Sequence, residues 1–251
     1  MNKNFKCVIF DLDGTLIDSG PDLLNTLNYV LSRNNLEEID SSVIGNLVGG
    51  GAEAMIRRGF KHLNAHLDEK KIPTLINLFI NHYYKNCTNK TRLYLGVLNT
   101  LNFLRERAYI CLCTNKKQFL AEKILEELGI INFFNFILGS DGKTPLKPEI
   151  EMPKKCLEKS KIPSDQVVFV GDSTNDILPA NQLAMFSVHV TYGYGKLEEK
   201  VRANLVIDKI KDLKKIFWLN FNSFSKEFIN LTYSFVDSYY CNQQSKKSNY
   251  V

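Results

Sequence analysis

Cys7-Val8-Ile9-Phe10-Asp11-Leu12-Asp13-Gly14-Thr15 is the stretch on which the fold turns. Four apolar residues without polar alternation read as a strand covered on both faces, as in a parallel sheet. The run stops at two carboxylates within three residues, followed by a glycine and a hydroxyl. Burying that pair beside a strand end is costly unless the charges have a task, and the carboxyl edge of a parallel sheet is where such folds bind ligands.

Similar runs recur at Tyr109-Ile110-Cys111-Leu112-Cys113, Phe136-Ile137-Leu138 and Val167-Val168-Phe169-Val170, with weaker ones at Ser187–Val190 and Leu205–Ile207. Helical spacing fills the intervals, at Phe119–Leu128, Glu151–Lys159 and Asn175–Leu183. Strands alternating with helices predict an α/β fold, a doubly wound, Rossmann-like parallel sheet. The first interval differs. From Ser19 to Arg92 there is no convincing strand, and helices are expected at Pro21–Ser32, Ala52–His62 and Thr74–Tyr84, with Pro21 suited to a helix start. The expected organisation is an α/β core over 1–18 and 93–215, a small helical second domain inserted over 19–92, and an extension over 216–251. In that extension Phe217, Phe221, Phe224, Phe228, Leu231 and Phe235 fall at heptad-like spacing. This predicts an amphipathic helix that packs on its own protein, on a partner or dimer seam, or on a membrane surface, followed by a polar tail from 242 onward.

Composition narrows the class. The chain has 251 residues, 44% hydrophobic and 24% charged, ordinary values for a globular protein. Its net charge of +5, from 32 basic and 27 acidic residues, is spread over scattered lysines, so nucleic acid is not implied. Six cysteines form no zinc-type double CxxC, and Cys111 and Cys113 lie inside a strand, so buried free thiols are expected. The N-terminus is too short and polar for a signal peptide, and no apolar run is long enough to span a bilayer, which excludes a transporter ATPase. The expected location is cytoplasmic, as a monomer or homodimer.

The same sheet edge collects further polar groups. The second strand ends at Thr114-Asn115-Lys116 and the fourth at Gly171-Asp172-Ser173-Thr174-Asn175-Asp176, while Lys147 follows the third. Carboxylates with hydroxyl and backbone donors suit a hard cation such as Mg²⁺, and hence phosphate chemistry.

With these segments in view, the sequence resembles the haloacid dehalogenase superfamily of phosphohydrolases, through FDLDGTLIDS (10–19), CTNK (113–116), Lys147-Pro148 and VGDSTNDI (170–177). Within it the chain most resembles the phosphoglycolate phosphatases, through LVGGGAEAMIRRGF (47–60), RLYLGVLNTL (92–101), GDSTNDILPA (171–180) and VTYGYG (190–195). It departs at Glu149-Ile150, where relatives commonly carry a second proline after Lys147-Pro148, and at Leu95, where a proline is usual.

The resemblance implies Asp11 as nucleophile and Asp13 as general acid and base. It implies Thr114, the Asn115 amide and Lys147 as phosphate-binding groups, and Mg²⁺ held by Asp11, Asp13 through its carbonyl, and Asp172, with Asp176 auxiliary. Asp18 and Lys116 stand between site support and ordinary loop roles. For a small phosphorylated metabolite such as 2-phosphoglycolate, Gly49, Gly50 and Gly51 ahead of a helix can present N–H groups to a carboxylate, with charge from Arg58 or Arg57. The competing readings are another small-metabolite or sugar phosphatase, a phosphosugar mutase, a phosphoacceptor signalling domain, and an inactive interaction protein assembling through its C-terminal helix.

Overall fold

The computed structural model describes residues 4–218. The C-terminal stripe beyond Trp218 and the polar tail lie outside the described residues. The first strand, β1 (Cys7–Phe10), runs into the acidic loop and a two-residue strand, β2 (Ile17–Asp18). Four helices follow: α1 (Gly20–Ser32), α2 (Ile44–Leu47), α3 (Gly51–His62) and α4 (Ile72–Asn86). The chain returns through β3 (Arg92–Leu93), which pairs antiparallel with β2. Exit and re-entry therefore lie side by side, and the inserted helical cap hangs from one two-stranded ribbon. Asp22 at the start of α1 secures the return, accepting from the main-chain N–H groups of Lys90 and Thr91 and from the Thr91 hydroxyl.

The remainder alternates as the periodicity predicts. Helix α5 (Val97–Leu104) precedes β4 (Tyr109–Lys117), then come α6 (Gln118–Glu127), β5 (Phe136–Ser140), α7 (Glu151–Ser160), β6 (Val167–Gly171), α8 (Thr174–Gln182), β7 (Phe186–Val190), β8 (Leu205–Ile207) and α9 (Leu213–Trp218). The six long strands form one parallel sheet in the order β5-β4-β1-β6-β7-β8. From β1 the chain builds outward through β4 and β5, then crosses to the other side for β6, β7 and β8. The reversal falls at β1, so the acidic loop sits at the topological switch point.

Strand alternation divides the core. Val8, Phe10, Ile110, Leu112, Val168 and Val170 face one layer, which α5 joins through Val97, Leu101 and Leu104, and α6 through Leu120, Ile124 and Leu125. Cys7, Ile9, Cys111, Cys113, Val167 and Phe169 face the other, closed by Met152 and Cys156 of α7 and Ala180 of α8. The five cysteines among the described residues are free and buried, as expected.

Several elements differ from the sequence reading, among them the short helix α2, which lies outside the three helices expected in the insert. The ribbon β2/β3 is too short to leave a periodic signal, and α5 lies in an interval without an expected helix. Strand β4 runs on to Lys117, with its register broken between Cys113 and Lys117. Thr114, Asn115 and Lys116 occupy that irregularity, and such breaks re-aim side chains next to active sites.

Candidate active site

Four loops meet at the carboxyl edge of the sheet. The Asp11 side chain emerges directly after β1, its own N–H donating to the Val170 carbonyl of the neighbouring strand at 3.0 Å. Lys147, buried in the loop after β5, places Nζ 2.8 Å from Asp11 Oδ1 and 2.6 Å from Asp176 Oδ1. Asp172, at the end of β6, accepts on one oxygen from the N–H groups of Tyr194 and Gly195, each at 2.9 Å. Asp176 also caps α8, accepting from the Ser173 hydroxyl at 3.0 Å and the Ser173 N–H at 3.2 Å.

The loop carrying Asp11 has to pass very close to Asp172. Gly14, at φ +83°, stands where any Cβ would run into the Asp172 carboxylate and against the Tyr194 ring, so both its conformation and its missing side chain are required. Tyr194 also links the loops on the far side: its hydroxyl accepts from the Gly20 N–H at 2.7 Å and donates to Asp18. Asp18 is thereby a support of the hinge region rather than a lining group of the cavity.

Ligand oxygens of Asp11, Asp172 and Asp176 lie within 4.8 Å of one another. Burial pushes the Asp11 carboxyl up to about 8, with Lys147 pulling it back and Asp176 and Asp172 raising it further. Burial likewise lifts Asp172 to about 7, reinforced by Asp176 and opposed by its two N–H donors and Lys147. Three carboxylates against one ammonium leave a formal charge of 3 × (−1) + 1 = −2 on this cluster. An all-oxygen donor set short of two positive charges fits a hard divalent cation.

Asp13 belongs to a second group beside the first. Its carboxylate does not join the three-acid cluster; Oδ1 accepts from Ser19 Oγ at 2.5 Å and lies 3.0 Å from Lys116 Nζ. Lys116 in turn donates to the Tyr83 hydroxyl of α4 at 2.9 Å and sits 4.4 Å from the centre of that ring. Thr114 Oγ1 accepts from the Lys116 N–H at 3.2 Å, which leaves its own O–H to donate. The Asn115 side chain is committed to the Lys147 loop, donating to the Lys147 carbonyl at 2.8 Å and accepting from its N–H at 2.9 Å. Only its main-chain N–H is left for the phosphate role expected from the sequence.

Above these groups lies a cavity of about 470 Å³ between sheet edge and cap, lined by Asp11, Asp13, Thr114, Lys147 and Asp172 on one side. Gly49, Gly50, Gly51, Arg58, Phe79 and Tyr83 form the cap wall. The glycines take φ values of +99°, +75° and +85°, a left-handed course that side chains rarely tolerate. Arg58 holds that course: its guanidinium donates to the carbonyls of Ala54 at 3.1 Å and Val48 at 3.2 Å, and to that of Gly49. Arg57 points away from the cavity, paired with Glu53 at 2.9 Å and Glu69 at 2.7 Å on the surface. Sequence reasoning did not single out Tyr83, Ser19 and Tyr194. Tyr83 lies in the apolar stripe of a cap helix, 33 positions before the lysine it meets, and nothing local marks it. Tyr194 falls in the VTYGYG segment, whose pattern of two glycines around an aromatic is the one available signal.

Comparison with known proteins agrees with this geometry. The model of the haloacid dehalogenase-like hydrolase family matches residues 8–190. A phosphoglycolate phosphatase of Agrobacterium fabrum is 37% identical over 187 residues, covering 74% of this chain and 80% of the relative. One from Caulobacter vibrioides is 32% identical over 214 residues, covering 84% and 90%. The crystal structure of a predicted phosphoglycolate phosphatase from Haemophilus somnus superposes with a TM-score of 0.79 at 30% identity, over 85% of this chain and 98% of that one. The architecture, the acidic cluster at the switch point and a family match over most of the chain converge: the protein belongs to the haloacid dehalogenase-like hydrolases and is an enzyme of the phosphatase type.

Proposed function

We propose that the protein is a cytoplasmic, Mg²⁺-dependent phosphomonoester hydrolase that converts 2-phosphoglycolate to glycolate and phosphate through an aspartyl-phosphate intermediate. The observation that carries the reading is the buried Lys147 ammonium clasping Asp11 and Asp176 beside Asp172, at the strand ends where the chain changes direction. The substrate is proposed from the names of relatives at 37% and 32% identity, and the cavity of about 470 Å³ has ample room for a two-carbon ester.

The ion would be held by the Asp11 and Asp172 carboxylates and the Asp13 carbonyl, with Asp176 as an auxiliary group, and when bound would offset phosphate charge that otherwise repels an anionic nucleophile. A carboxylate oxygen of Asp11 attacks phosphorus, and the bond to the ester oxygen breaks as Asp13 delivers its proton to that oxygen. Asp13 then takes a proton from water, whose oxygen attacks phosphorus and breaks the bond to Asp11, releasing phosphate and restoring both carboxyls. The Thr114 hydroxyl and the Asn115 main-chain N–H hold phosphoryl oxygens, while Lys147 fixes the Asp11 carboxylate and balances charge on the transferring group. Residues 1–18 and 93–215 form the catalytic core in this scheme. Residues 19–92 form the cap, whose glycine loop, propped by Arg58, faces the substrate.

Phosphate release from 2-phosphoglycolate and a panel of small phosphomonoesters, with and without Mg²⁺ and beside Asp11→Asn, tests the proposal. Mg²⁺-dependent preference for 2-phosphoglycolate, lost in the variant, is the expected result. A different preferred ester overturns the substrate, and activity surviving in Asp11→Asn overturns the nucleophile.

A further inference from the structure

Glycolate, the leaving group of the proposed reaction, carries its carboxylate on the carbon next to the esterified oxygen. A site selective for it needs a fixed cation within one small group of the acid that protonates that oxygen. The cavity wall holds four basic side chains: Arg58, Lys116, Lys117 and Lys147. Lys147 is taken up by Asp11 and Asp176 at the phosphate end. Arg58 spends its donors on three main-chain carbonyls. Lys117 is half-buried and, among the described residues, has no side-chain partner to hold it in one place.

Lys116 is different on each count. Its side chain is only 5% exposed, and its Nζ is 3.0 Å from Asp13 Oδ1, the group assigned to the ester oxygen. Tyr83 anchors it from the cap by a 2.9 Å hydrogen bond, with the ring face 4.4 Å away. Among the described residues Asp13 and Tyr83 are the two hydrogen-bonding partners of an ammonium that has three N–H groups, so one donor remains for a guest.

Resting on the phosphatase reading above, we infer that Lys116, positioned by Tyr83 of α4, is the specificity-determining residue that binds the carboxylate of a phosphorylated 2-hydroxy acid. The site therefore reads the phosphate on one lysine and the adjacent carboxylate on another, with Asp13 between them at the scissile bond. Because Tyr83 comes from the cap, the recognition cation is fully held only when cap and core meet. Phosphate esters without the carboxylate lack the one contact that Lys116 offers.

The test compares 2-phosphoglycolate with glycolaldehyde phosphate, which is similar in size but lacks the carboxylate, in wild type, Lys116→Met and Tyr83→Phe. Lys116→Met is expected to lower kcat/KM for 2-phosphoglycolate roughly 10- to 100-fold more than for the aldehyde, through KM, as loss of a charge-assisted hydrogen bond predicts. Tyr83→Phe keeps the ring and is expected to shift the same ratio in the same direction by a smaller factor. Equal losses on both esters would overturn the inference while leaving the phosphatase intact. A wild-type enzyme that hydrolyses phosphomonoesters with no preference for 2-phosphoglycolate would overturn both the inference and the proposed substrate. Equilibrium binding of both esters to Asp11→Asn, with and without Lys116→Met, reads recognition independently of turnover. An unchanged affinity ratio there refutes the role of Lys116 even if no hydrolysis is seen.

Discussion

Mg²⁺ should stabilise this protein strongly at alkaline pH and hardly at all at mildly acidic pH, and the reason is the two carboxyls proposed to hold it. In the metal-free fold burial lifts Asp11 to about 8 and Asp172 to about 7, against 3.8 when the chain is unfolded. Between those limits the folded protein binds more protons than the unfolded one. This pair's contribution to stability is therefore fully present below about pH 4 and is lost as pH rises through 7 and 8. The ion binds the same groups ionised, so it must displace their protons. Taking the two sites as independent, apparent affinity falls by up to roughly 10⁴-fold between pH 8.5 and pH 5.5.

An ion present at about 100 times its dissociation constant at pH 8.5 stabilises the fold by about 2.7 kcal/mol, which for a domain of this size raises Tm by roughly 5–10 °C. At pH 5.5 the same concentration is far below the dissociation constant, and the shift should vanish. Thermal unfolding with and without Mg²⁺ across this range measures the effect. Calorimetric titration in buffers of different ionisation enthalpy counts the protons, about two released at pH 6 and close to none at pH 9. A Tm shift independent of pH, with no proton release at pH 6, would refute the argument, because Asp11 and Asp172 would then be ionised before the metal arrives.

Three further outcomes follow from named contacts. Lys147→Met removes the ammonium that Asp11 and Asp176 share and leaves Asp176 buried without its cation, and should cost about 3–5 kcal/mol in metal-free thermal unfolding at pH 7, along with turnover. Gly193→Ala drives a methyl group into the Asp172 side chain and the Gly14 carbonyl. It should destabilise by about 1–3 kcal/mol and weaken Mg²⁺ binding in titration, whereas Gly142→Ala, with open space around its Cα, should leave the metal affinity unchanged. Arg58→Ala frees the carbonyls of Val48 and Gly49 and loosens the glycine loop, raising KM for every ester tried. Arg57→Ala, paired only with Glu53 and Glu69 on the surface, should leave kinetic constants at wild-type values.

What the sequence disclosed depended on whether the physics was local. The strands Cys7–Phe10, Tyr109–Cys113 and Val167–Val170 announce themselves because a doubly covered strand must be apolar throughout, and their polar terminators mark the site edge in the same glance. Asp11, Asp172 and Asp176 were readable because a carboxylate at such a point is improbable without a function. The β2/β3 ribbon was not readable, since two residues cannot express a period. The commitment of the Asn115 side chain to the Lys147 loop was equally hidden, because it joins positions 32 apart through a hydrogen bond with no compositional trace. Arg58 is the instructive case. Its charge and position after three glycines suggested anion binding, but in the fold those donors serve the carbonyls of Val48 and Gly49 at the glycine turn and of Ala54 within α3.

The division of labour in the cavity follows from what each layer can hold still. Phosphate chemistry needs groups fixed to within fractions of an ångström, and the strand ends supply them, since β1, β4 and β6 are in register and buried on both faces. Recognition of the remainder of the substrate falls to residues that only cap and core together can orient. Lys116 shows why. It grows from the irregular end of β4, where the register breaks after Cys113, and without Tyr83 its remaining anchor is Asp13, the group that the proposed reaction asks to move a proton. The tyrosine takes over part of that anchoring, so the lysine can stay fixed while Asp13 works. A cap that did not reach Lys116 would leave hydrolysis possible but choice of substrate weak. The proposed selectivity is therefore a property of the contact between α4 and β4, and not of either element alone.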